Sequence, residues 1–142
     1  MVFEEDFEHE QDAVPRLITH YTGTSPLSQT YTVDPAWLTG CNGWIVSPLN
    51  PDSGPPGSGC GPLWGPLESM ASALGQWSGG DPVTNHAVAA YTEGNPGASK
   101  VELDTVKPIP LDGENRFLTL SVDAAARNCF AAHPLLESAP TR

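Results

Sequence analysis

Lys100-Val101-Glu102-Leu103-Asp104-Thr105-Val106 and, further on, Arg116-Phe117-Leu118-Thr119-Leu120-Ser121-Val122-Asp123 set the expectation for the fold. In the first stretch Val101 and Leu103 point inward, while Lys100, Glu102 and Asp104 point outward. In the second, Leu118, Leu120 and Val122 share a face, opposite Thr119 and Ser121. A period of two is that of an extended strand with one buried face. Residues 86–92 repeat it, with Ala87, Ala89 and Tyr91 opposite Val88 and Ala90, and residues 127–133 offer a further strand around Cys129 and Phe130. Asn95-Pro96-Gly97 and Asp112-Gly113 supply turns between them. Successive half-buried strands predict antiparallel neighbours, and so a mainly β chain folded as an antiparallel β-sandwich.

Upstream the pieces are shorter. Residues 2–8 alternate weakly, with Phe3 and Phe7 on one face, and predict a first strand. Residues 17–21 and 29–33 are β-type runs parted by Gly23, Ser25 and Pro26. Trp44-Ile45-Val46 follows the Asn42-Gly43 turn signal. Residues 48–62 carry no periodicity and predict a long loop. One helix stands out near 66–77: Pro66 suits its first position, Leu67, Met70, Ala71, Leu74 and Trp77 recur at helical spacing, and Gly79-Gly80 ends it. Its apolar stripe is expected to face a sheet or to cap its open end.

Composition narrows the rest. At 142 residues the chain fits one domain, 1–142, with a real core. Gly and Pro, 14 and 15 residues, break the sequence into short pieces and argue against a helical bundle. Six Lys and Arg against seventeen Asp and Glu leave a formal charge of −11. Such a surface repels phosphate backbones and anionic headgroups, which excludes nucleic acid and membrane surfaces as partners. No apolar run is long enough for a membrane span. Met1-Val2-Phe3 runs into Glu4-Glu5-Asp6, the opposite of a basic leader followed by an apolar stretch. Taken literally that opening is cytoplasmic, but the expectation is an extracellular or cell-surface domain parted from its leader.

Cys41 and Cys60 both sit in Gly-flanked turns, and the loop between them holds Pro48, Pro51, Pro55 and Pro56. A disulfide there would staple the least ordered part of the chain, stabilising by roughly 3 kcal/mol on the chain-entropy model. Two separate buried thiols are the alternative, and Cys129 is left over.

Little else carries chemistry. There is no Cys-x-x-Cys, no His-x-x-x-His, and no Gly-x-Ser-x-Gly elbow, and the four histidines are scattered. Glu4, Glu5, Asp6, Glu8, Glu10 and Asp12 crowd the first twelve residues. Calcium takes six to eight oxygens, so Glu4 and Asp6, joined by Asp123 if the termini meet, are the candidate calcium ligands. A solvated acidic run is the plainer alternative. Among the aromatics, Trp77 and Trp44 are expected in the core. Trp37, Trp64 and Tyr31 are the candidate ligand-binding residues, since exposed aromatic faces stack on sugars and anchor interfaces.

Phe3-Glu4-Glu5-Asp6-Phe7, Tyr31-Thr32-Val33-Asp34-Pro35-Ala36-Trp37 and Cys41-Asn42-Gly43-Trp44-Ile45 resemble the opening of jelly-roll domains in secreted or wall-anchored proteins of high-GC Gram-positive bacteria. Residues 117–123, then Asn128-Cys129 and His133-Pro134-Leu135-Leu136, resemble their later strands. The likeness covers most of the chain. It implies a jelly-roll-like sandwich used for adhesion or ligand binding, without catalysis, its partner a glycan or a surface protein. A full jelly roll continues beyond Leu136, so the resemblance also implies truncation at the C-terminal end. Two other functions stay open. One is a polysaccharide hydrolase using paired carboxylates drawn from Glu68, Glu93, Glu102 and Asp104; the other is a structural spacer in a surface protein.

Overall fold

A computed structural model of the chain describes residues 3–9, 13–23, 28–38, 40–90, 103–111, 113, 117 and 119–126. Strand β1 (Arg16–Leu17) runs into a 3-10 turn (Ile18–His20) and is followed by β2 (Tyr31–Val33) and β3 (Trp44–Val46). Helix α1 (Gly61–Ser78), β4 (Ala87–Val88) and β5 (Leu103–Thr105) complete the order. The strands form two antiparallel sheets, β1-β3-β4 and β2-β5. Within the described residues each strand is two or three residues long. No helix among the described residues is long and apolar enough to cross a membrane.

Strand β3 organises the core. Ile45 pairs with both Arg16 and Val88, placing β3 between its two neighbours. Its alternation sends Trp44 and Val46 to one face and Ile45 to the other. On the first face Val46, Cys41, Cys60, Trp64 and Ala89 form a buried cluster, with Trp44, Leu63 and Leu67 against it. On the second, Ile45 joins Ile18, Tyr21 and Tyr31, with Phe7, Val33 and Val88 around them. The turn that launches β3 depends on Gly43. It adopts φ +73°, donates to the Ala89 carbonyl and accepts from Ile18, and a Cβ there would stand 2.6 Å from Leu38 Cδ1.

The β2-β5 ribbon is lengthened by a side chain. Gln29, fully buried, donates from Nε2 to the Lys107 carbonyl at 3.1 Å and accepts at Oε1 from the Lys107 amide at 3.3 Å. Its amide group thus imitates one more rung of the ladder beyond Tyr31 and Thr105. That helps a ribbon of two strands, which is marginal alone.

Several expectations are corrected. The helix begins at Gly61, not Pro66, so Pro62 occupies the first turn and Pro66 lies inside it. Gly79, at φ 80°, ends it as expected. The buried residues of α1 are Trp64, Ala71 and Gly75, and Trp77 is 66% exposed. At about 100° per residue the buried stripe is turned roughly a quarter of the circumference from the expected one. Residues 3–9 form no strand, and β1 gives way to the 3-10 turn instead of extending to Tyr21. Leu103 faces outward, while Phe117, Leu120 and Val122 are exposed and the described residues of 116–123 form no strand. The hairpin connection at 95–97 and the strand at 127–133 lie outside the described residues.

Candidate functional site

The polar groups that converge do so around the N-terminal segment, residues 3–9, which lies over the tyrosine face of the core. Glu5 sits between two hydroxyls. Tyr21 donates to its Oε1 at 2.9 Å and Tyr31 to its Oε2 at 2.5 Å, while the Phe7 amide donates to Oε1 at 2.9 Å. Phe7 packs its ring against the same pair, with centroids 5.8 and 6.1 Å from Tyr21 and Tyr31. Its backbone takes φ 58°, a conformation that costs a bulky residue about 1–2 kcal/mol. The contacts it makes must outweigh that strain.

Glu8 provides the second anchor. The His86 amide donates to Glu8 Oε1 at 2.6 Å, and His86 Nδ1 lies 3.0 Å from Oε2. A carboxylate can only accept, so Nδ1 carries its proton there. The imidazole is buried and the Glu8 side chain largely so. His9 Nδ1 lies 2.9 Å from the Thr22 carbonyl, by the same logic a donor. Phe7, His9, Val14, Arg16, Tyr21, Ile45 and His86 line a shallow cleft beside these anchors, with room for little more than a water molecule.

Burial first, and then the hydrogen bond to Glu5, raises both the Tyr21 and the Tyr31 hydroxyl well above the ordinary tyrosine value of 10.0. A raised folded-state pKa means stabilisation that is fully present below about pH 10, where unfolded tyrosine ionises, and lost as pH climbs towards the folded value. The same two hydroxyls donate to Glu5. Replacing Glu5 by Ala should cost about 2 kcal/mol, because two largely buried donors lose their acceptor. Urea unfolding with an unchanged slope would measure the loss, and a variant as stable as the parent would show that the clasp contributes nothing.

The sequence-predicted residues lie elsewhere or play other parts. Trp64 is fully buried and Trp37 is 3% exposed, so neither shows the open face expected of a sugar platform. Tyr31 is likewise buried, with its hydroxyl engaged by Glu5. Glu4, Asp6 and Asp123 are exposed, and Asp6 Oδ1 accepts from the Glu8 amide at 3.0 Å. Among the described residues no group of three His, Cys, Asp or Glu is placed to hold a metal ion. Cys41 and Cys60 are joined in a disulfide, as expected, with Cα atoms 5.1 Å apart. Of the carboxylates considered for hydrolysis, Asp104 is exposed on β5, and Glu93 and Glu102 lie outside the described residues. Glu68 stands one helical turn from Trp64; burial, then the charge of Asp52, raises its pKa, while the indole of Trp64 draws it down more weakly. That attraction falls short of a well-formed hydrogen bond, for Trp64 Nε1 and Glu68 Oε1 are both buried without one.

Sequence reasoning missed Glu5, Glu8, Tyr21 and His86 as a set. The only local signal was the acidic run itself, with Glu5 and Glu8 flanking Phe7. No protein-family model, curated protein or solved structure matches this chain.

Proposed function

We propose that the chain is an extracellular, non-catalytic binding module of a surface protein, whose ligand is another protein. The two antiparallel sheets belong, on this proposal, to a jelly-roll-like sandwich. The observation that carries the reading is the groove formed by Tyr21, Tyr31 and His86, whose donors already hold two carboxylates and whose rings hold an aromatic side chain. Recognition of a peptide segment is what such a groove does chemically. A protein ligand is favoured over a glycan because Trp37 and Trp64, the tryptophans expected to stack on a sugar, are buried. The Cys41–Cys60 disulfide supports an oxidising compartment.

The compartment can be tested without knowing the ligand. Trypsin cuts after Arg16 and Lys100 and nowhere between, so peptide 17–100 contains Cys41 and Cys60, and Cys129 falls after Arg127. Alkylation of protein taken from its native location should leave that peptide unmodified without reductant and doubly modified with it. Binding itself is tested on arrays of extracellular proteins and of glycans. Capture confined to proteins and weakened by Tyr31→Phe supports the proposal, and capture by glycans alone overturns it.

A further inference from the structure

Resting on that binding reading, we infer that the groove accepts in trans an acidic-aromatic peptide carrying carboxylates and a phenyl ring at the spacing of Glu5, Phe7 and Glu8, and that residues 3–9 are its occupant in cis. The occupant displays the partner's chemistry. Four donors hold the segment at Glu5 and Glu8: the Tyr21 and Tyr31 hydroxyls, the His86 amide and His86 Nδ1. Donors of this kind select carboxylates and leave amide or hydroxyl side chains less well bound. Arg16, the only Lys or Arg in residues 1–99, lines the cleft beside them.

The cis segment is held differently from the rest of the fold. Residues 3–9 form no strand; Glu5, Glu8 and His9 anchor them through side chains, and Phe7 is held at a positive φ. A segment tethered in its own groove competes through its effective concentration, so the groove's apparent affinity for a free peptide falls by the fraction of time the segment is seated. Weakening the segment without touching the groove should therefore strengthen binding in trans.

The test uses the full chain and a fluorescein-labelled heptapeptide, Phe-Glu-Glu-Asp-Phe-Glu-His, with a scrambled peptide as control. Phe7→Ala should bind the heptapeptide about tenfold more tightly than the parent chain, and Glu8→Gln should move in the same direction. Adding Tyr31→Phe to Phe7→Ala should abolish the gain. Near-UV circular dichroism of each variant, matched to the parent, shows that the core is intact. If both folded variants bind the heptapeptide no better than the scrambled control, the inference is overturned. Protein capture on the arrays that persists in that case leaves the binding module standing and removes only this partner class; silence in both assays removes the two together.

Discussion

Replacing Trp64 by Ala should lower the stability of the domain by about 3–5 kcal/mol and its thermal midpoint by roughly 10–15 °C. Trp64 is the largest fully buried side chain and belongs to the cluster of Cys41, Val46, Cys60 and Ala89. It meets Trp44 edge-on, with centroids 6.4 Å apart and planes at 82°. From above, Gly54 approaches so closely that a Cβ would come within 3.0 Å of the indole. A loop, a helix and a strand thus converge on one ring, and its removal leaves a cavity that none of them can fill alone. Trp64→Phe should cost far less, about 1–2 kcal/mol, because most of the contact remains and the indole N–H, buried without a partner, is gone. Thermal and urea unfolding of the two variants measure the contrast. An Ala variant within about 1 kcal/mol of the parent would show that the ring is not core, and would restore the ligand role its sequence setting suggested.

That setting explains how the sequence misled. Pro62 and Pro66 both fit a first helical turn, and Gly61 and Gly65 are poor helix formers, so local propensity favours the later start and leaves Trp64 in a loop. Packing overrides propensity here. The disulfide fixes Cys60 at the N-cap, and Trp64 then falls on the buried face with Ala71 and Gly75. The other end of the helix was legible because Gly79 alone decides it. So was β3, where the Asn42-Gly43 turn and three apolar residues agree at every level. The acidic segment was only half legible. Its composition is plain, but the parts played by Glu5 and Glu8 depend on Tyr31 and His86, 26 and 78 residues further along the chain. No local pattern encodes a partner at that separation. For the same reason the alternation at 116–123 predicts a strand but not a neighbour to pair with it.

Removing the Cys41–Cys60 disulfide, by reductant or by the double change Cys41→Ser and Cys60→Ser, should destabilise the domain by about 2–4 kcal/mol. The bond spans a separation of 19 residues. Within that loop lie β3, the turn at Ser47 and Asn50, and a run rich in Pro and Gly that leads into α1. Untethered, that run has many conformations in the unfolded chain, and the cross-link removes them before folding begins. The same bond holds the start of α1 beside the turn before β3, so its loss should loosen the bed of Trp64 and leave β2-β5 untouched. Hydrogen exchange should accordingly quicken at 47–60 and remain unchanged at β2 and β5. Two comparisons separate the tether from the packing of two buried sulfurs. Reductant should shift the urea midpoint of the parent chain and leave that of the double Ser variant where it is. Should the parent's midpoint ignore reductant while its thiols become alkylated, the cross-link contributes nothing to stability, and the fold must rest on the two apolar clusters alone.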